Sequence, residues 1–262
     1  MLTTSDNYRL IAKDLTRSLT TLSKDPQVAR ETEFYMDNIG KIKSVDDFMK
    51  NDRIYRFAMK AFGLDDMAYA KAFVKKVLTE GLSDPKSFAN SLTDPRFKDL
   101  AATFNFEAKG EATTESTDAR QGTVDRYLRL ALEQKSGEQN EGVRLALYFS
   151  RKAPTISSTL GIMADKALLK VVQTALNMPA ETALMSLDKQ VEMYSKRIDV
   201  ADFKDPKKLE KFVTRFTSMW ELSNGGASQA SSQTAPLMSS TYPVGISTDV
   251  LASLQLLKLG GR

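Results

Sequence analysis

Residues 67–82 read MAYAKAFVKKVLTEGL, and their spacing decides the fold. Ala70, Phe73, Val74, Val77 and Leu78 recur at steps of three and four, which lays one apolar stripe along a helix, while Lys71, Lys75, Lys76 and Glu80 take the other side. Gly81 supplies the stop. Upstream, SVDDFMKNDRIYRFAMKAFGL at 44–64 resolves into two shorter helices. Ser44 is placed to cap the first, with Asp47 at the reciprocal capping-box position, and Gly63 sits where the second should end. Downstream, Asp84-Pro85 and Asp94-Pro95 each set a capping carboxylate before a proline at the first helical position, so both predict helix starts. Runs of alternating apolar and polar residues are short and rare, so no strand is needed. The expected fold class is all-α.

Composition then removes most catalytic chemistry. The 262 residues contain no cysteine and no histidine, which excludes disulfides, thiolate nucleophiles, the usual transition-metal ligands and every Ser-His-Asp arrangement. Carboxylates, lysines or oxygen-ligated magnesium remain available. Asp46-Asp47 and Asp65-Asp66 lack the alternating oxygen ligands, central glycine and distal glutamate of a calcium loop and read as helix-start caps. Gly225-Gly226 follows no strand and makes no phosphate cradle. No catalytic, metal-binding or cofactor-binding residue is singled out, and no cofactor is expected.

The 37 basic and 33 acidic residues are interleaved along the chain, a solvated surface with no clustered stripe for nucleic acid. No stretch approaches the roughly 18 apolar residues of a membrane span. The N-terminal MLTTSDNYRLIAKDL lacks the cationic and apolar regions of a cleavable signal. The expected setting is the cytoplasm, or export by a route that reads an uncleaved N-terminus.

The chain also repeats itself. Placing Phe34 on Tyr148 sets an offset of 114, which carries Ile54, Phe57, Ala61, Phe62 and Leu64 onto Leu168, Val171, Ala175, Leu176 and Met178. The same offset sets Ala70, Phe73 and Val77 on Leu184, Leu187 and Val191, and near the Asp-Pro step an offset of 112 sets Phe97, Leu100, Ala101 and Phe104 on Leu209, Phe212, Val213 and Phe216. Apolar positions coincide while surface positions differ, as duplication of one helical-bundle unit leaves them. Two polar stretches divide the chain: AKGEATTESTDARQGT at 108–123 reads as a linker, and the Gly/Ser/Ala/Gln/Thr-rich 223–245 as a flexible tract. The expected domains are a first repeat with an N-terminal helix at 1–107, the linker, a second repeat at 124–222, the tract, and a C-terminal helix at 246–262.

The termini carry the interaction signal. Tyr8, Ile11, Leu15, Leu19 and Leu22 form an apolar seam, and Val250, Leu251, Leu254 and Leu257 form another. Two readings stand for the first seam: packing into the adjoining first repeat, or partner binding. Trp220 reads as core or inter-repeat packing.

GLSDPKSFANSLTDPRFKDLAATFNF at 81–106, with SVDDFMKNDRIYRFAMKAFGL before it and the weaker ADFKDPKKLEKFVTRF at 201–216, resembles an alphaproteobacterial family known as domain of unknown function 1217. The resemblance implies genes that lie within flagellar clusters and carries no catalytic residue. The expected function is a non-enzymatic interaction or assembly protein of the bacterial flagellum with a protein partner. The alternative is a hydrolase or transferase working through carboxylates.

Overall fold

Capping side chains set the helix starts. Ser44 Oγ accepts from Asp47 N at 3.1 Å, so the expected cap forms, but the reciprocal bond of a capping box does not: Asp47 Oδ2 accepts from Lys43 N at 3.3 Å, one residue before the cap. Asp25, Asp94 and Asp205 each precede a proline and each accept from the amide two residues on, at 3.0, 2.9 and 2.8 Å. The computed structural model describes residues 2–224, and among them the order is α1 (Thr4–Lys13), α2 (Leu15–Ser23), α3 (Pro26–Ile39), α4 (Val45–Lys50), α5 (Asp52–Ala61), α6 (Lys71–Glu80), α7 (Phe88–Ser91), α8 (Pro95–Thr103) and α9 (Phe106–Lys109). Then come α10 (Thr123–Gln139), α11 (Glu141–Lys152), α12 (Thr159–Ala164), α13 (Lys166–Ala175), α14 (Leu187–Ser195) and α15 (Pro206–Asn224). The fold is all-α, with no strand among the described residues. No described helix is long and apolar enough to cross a membrane. Of the tract expected at 223–245, Ser223 and Asn224 instead close α15; its remaining residues and the expected helix with Val250, Leu251, Leu254 and Leu257 lie outside the described residues.

Two apolar cores form. The first runs from Leu22 to Leu132 around Tyr35, Phe48, Phe57 and Phe104; the second runs from Val143 to Phe216 and takes in Tyr8. In the first, Tyr35 stacks on Phe57 at 4.3 Å and Phe57 on Tyr127 of α10 at 4.2 Å, so α10 completes the first bundle. In the second, Phe149, Phe203 and Phe212 form a ring cluster with centroids 5.0–5.4 Å apart.

Several expectations need correction. Residues 108–123 are not a loose linker: a 3₁₀ turn at Gly110–Glu115 and a π turn at Asp118–Gly122 pack onto the first core. Thr113, Thr114 and Ala119 are fully buried because hydrogen bonds satisfy them: Thr114 Oγ1 donates to Ile42 O at 2.8 Å, Thr113 Oγ1 to Asn105 O at 3.0 Å, and Tyr35 Oη to Ala119 O at 2.5 Å. Asp84-Pro85 opens a turn, not a helix; α7 starts four residues later, capped by Ser87. The offset of 114 fails at α14, where Leu184 is 87% and Leu187 58% exposed, because α6 and α14 start at Lys71 and Leu187, two residues out of that register.

Elsewhere the two bundles run in the same element order, and their local geometry agrees. α4 and α12, and α5 and α13, begin 114 residues apart; Ser44 and Ser158 cap the first pair, Asn51 and Asp165 the second. Both second helices end alike. Leu64 N bonds to Met59 O at 2.8 Å and Met178 N to Gln173 O at 2.9 Å, which needs a left-handed residue at 63 and at 177. Gly63 takes φ 68° and Asn177, the one non-glycine with positive φ among the described residues, φ 50°. A Cβ at Gly63 would meet nothing nearer than Leu130 Cδ2 at 3.7 Å, so the cost of substitution is purely conformational. Gly63→Ala is therefore expected to lose about 1–2 kcal/mol in urea unfolding, and Gly63→Asn distinctly less. Equal losses would contradict this account.

Candidate functional site: a cationic cleft between the bundles

α10 lies between the bundles, packed on α5 of the first and α11 of the second. The chain leaves a cleft of about 450 Å³ along it. One wall is Ala61, Phe62, Gly63, Arg96 and Asp99 of the first bundle; the other is Tyr148, Arg151 and Lys152 at the end of α11; α10 contributes Asp125, Arg126, Arg129 and Leu130. Five cations thus meet two carboxylates.

Positioning is specific. Arg96 is gripped by Asp94, with Nε and Nη2 donating at 2.9 and 2.7 Å to Oδ2, and its Nη1 donates to Gly63 O. Burial pushes the Asp94 carboxyl up, but the hydrogen bonds and charge of Arg96 outweigh it and hold the group below its usual value. Arg151 makes a two-pronged pair with Glu133, Nε to Oε1 at 2.7 Å and Nη2 to Oε2 at 2.8 Å. Glu133 is only 3% exposed and is shared with Arg129, whose Nε stands 3.4 Å from Oε1 without hydrogen-bond geometry and has no acceptor. Burial, with the Arg151 charge beside it, lowers the Arg129 pKa. Tyr148 Oη donates to Asp165 Oδ2 at 2.5 Å; burial and that carboxylate push the phenol well up, so it keeps its proton. Arg126 lies over the Phe62 ring at 4.9 Å.

Two half-buried cations therefore share one carboxylate, and neither Arg126 nor Lys152 forms an ion pair among the described residues. The cations are scattered in sequence, as singles or pairs, which is why charge counting reads them as solvated surface. The signal was Arg126 and Arg129, one turn apart on one face of α10, and Arg151-Lys152 closing α11.

The terminal seam goes elsewhere. Its helix breaks at Asp14, whose side chain accepts from Arg17 N at 2.9 Å and starts α2. Tyr8 is buried in the second core and bonds Ser150 Oγ at 2.8 Å; Leu22 is buried in the first; Ile11 packs against both, and Leu15 and Leu19 against the first. α1 packs with the second bundle rather than the first, and of the seam Tyr8 and Leu22 are buried while Ile11, Leu15 and Leu19 are half-buried. Trp220 packs against the second core beside Phe216, as expected.

Fold and cleft together define an all-helical protein of two bundles facing each other across a cationic hollow. The chain belongs to the family described as protein of unknown function, DUF1217, whose model matches residues 61–209. The chain is also similar to an X-ray crystal structure of a protein from Agrobacterium tumefaciens, a structural genomics target. The two share 50% identity over 83% of this chain and 93% of that one, with a TM-score of 0.75. No curated protein matches the chain. All residues lining the cleft fall within the matched 61–209.

Proposed function

We propose that the protein is a non-enzymatic interaction protein whose inter-bundle cleft receives an acidic group of a protein partner. The observation that carries this reading is the charge arrangement of the cleft: Arg96, Arg129 and Arg151 are paired with Asp94 and Glu133, while Arg126 and Lys152 line a hollow of about 450 Å³ with no ion pair among the described residues. A guanidinium fork and an ammonium suit a carboxylate, and apolar Phe62 and Leu130 suit the side chains around it. The lining favours binding over catalysis, since Tyr148 keeps its proton. The flagellar setting rests on the family resemblance alone. The ancestry proposal, that the second bundle is a diverged duplicate of the first, rests on the shared element order and the matched caps; superposing 28–106 on 142–220 tests it.

Affinity purification from flagellated cells tests the function. The wild-type chain is expected to retain a flagellar protein in a salt-sensitive way, and the double variant Arg126→Glu/Lys152→Glu to lose at least nine-tenths of it with unchanged melting temperature. Retention unaffected by the double variant would refute the cleft as the binding site. A deletion strain that swims normally would refute the flagellar setting.

A further inference from the structure

The second bundle has a hollow of its own, about 390 Å³, every lining residue of which falls between Leu176 and Arg215. Its floor is Leu176, Ile198, Phe203 and Phe212, and its rim carries Arg197, Lys208, Lys211 and Arg215 against Asp199 and Asp202. The position is not arbitrary. Under the offsets matched above, Phe62, Arg96 and Asp99 of the first bundle's cleft wall correspond to Leu176, Lys208 and Lys211. The same face thus occurs twice. In the first bundle it stands opposite α11, with Tyr148, Arg151 and Lys152; in the second it has no first-bundle residue over it.

What would cover it follows from the same offset. Tyr148, Arg151 and Lys152 correspond to Phe34, Asp37 and Asn38 on α3. Both sides change sign together. Within the chain, the cationic end of α11 faces a wall whose one charge without an ion pair among the described residues is Asp99, Arg96 being held by Asp94. On the second bundle the rim charges in no ion pair among the described residues are Arg197, Lys211 and Arg215 against Asp199, Lys208 being paired to Asp202 at 2.5 Å. α3 offers Asp37 and, one turn back, Glu33, both exposed and in no ion pair among the described residues, beside the half-buried Phe34.

We infer that this hollow receives the α3 face of a second copy of the chain, repeating between molecules the bundle-to-bundle contact made within one. Donor and acceptor faces lie on different bundles, so the contact is head-to-tail and leaves one of each free at the ends of any oligomer. It involves no residue of the cationic cleft, and purified chain alone suffices to test it, so its failure leaves the proposed function standing.

Sedimentation of the full chain over micromolar to millimolar concentration is the test. The average mass should rise with concentration without stopping at a dimer, and fall with added salt. Glu33→Lys/Asp37→Lys and Lys211→Glu/Arg215→Glu should each weaken association at least tenfold, with circular dichroism and melting temperature unchanged, as suits exposed positions. Mixing the two variants should restore it, because reversed α3 then meets reversed rim. A chain that stays monomeric throughout overturns the inference, as does association that ignores both reversals or fails to recover on mixing. Lys211 shielded from acylation in a monomer would also overturn it, assigning the hollow to the chain's own C-terminal segment.

Discussion

Replacing Glu133 with glutamine is expected to lower the unfolding free energy by about 3–5 kcal/mol, because it strands two largely buried guanidinium groups. Glu133 holds Arg151 through two bonds of 2.7 and 2.8 Å and is the one carboxylate within ion-pair distance of Arg129 among the described residues. A neutral amide keeps the shape and one acceptor oxygen but leaves both cations uncompensated in a cleft wall. For a unit of this size the loss corresponds to roughly 6–20 °C in melting temperature. Urea unfolding measures it directly, with the midpoint falling and the slope unchanged. A triple change, Glu133→Leu with Arg129→Met and Arg151→Met, removes all three charges and should recover most of the loss, which separates stranded charge from lost packing. If Glu133→Gln leaves the midpoint in place, the triad does not hold the cleft together. The same variant bears on function: with Glu133 neutral, an added anion such as sulfate should stabilise Glu133→Gln more than the wild type, because the cleft then carries one further unbalanced positive charge.

Where helix information is local, the sequence is legible. The Ser44 cap, the Asp-Pro start at 94 and the Gly63 and Gly81 stops each depend on residues within one turn of one another, and each forms as read. Tertiary partnership is not local, and there the reading fails. Residues 108–123 have too few apolar side chains to announce burial, yet Thr113 and Thr114 bury by donating to backbone carbonyls that other segments bring to them. α1 adjoins the first bundle in sequence, but Tyr8 finds its hydroxyl partner on Ser150 of the second. Asp14 looks like one more polar residue on an amphipathic helix; only its bond to Arg17 N marks it as a break. The cleft is the extreme case. Its cations come from α8, α10 and α11, and the carboxylates that pair three of them, Asp94 and Glu133, are scattered as widely, so composition records a near-neutral mixture where the fold brings the cations together.

Gly142 is where the fold has least room, and Gly142→Ala is expected to destabilise by about 1–3 kcal/mol although alanine is the better helix former by roughly 1 kcal/mol. A Cβ there would lie 2.6 Å from Trp220 Nε1 and 2.8 Å from Thr4 Cγ2, and would also meet Trp220 Cδ1. Neither neighbour can yield without a second loss. Thr4 is 1% exposed and tied on both sides: Glu221 Oε2 accepts from its amide at 2.9 Å and its hydroxyl at 2.5 Å, and Asn140 Nδ2 donates to that hydroxyl at 2.9 Å. Asn140 in turn caps α11, its Oδ1 accepting from Gly142 N at 2.9 Å, so the intruding methyl sits inside the junction that binds the starts of α1 and α11 to the end of α15. Displacing Thr4 would leave buried polar groups unpaired, at about 1–3 kcal/mol each, and displacing Trp220 would open the edge of the second core. Valine should cost more than alanine. The readout is built in, because Trp220 is the only tryptophan of the chain: its emission should shift to longer wavelength in Gly142→Ala as the indole is pushed toward water, in step with a lower urea midpoint. Trimming the opposing side chain, Trp220→Leu, should make the second substitution nearly free, so the double variant should lose less than the sum of the two single losses. Strict additivity, or an unchanged emission maximum in Gly142→Ala, would mean that the indole does not close this junction.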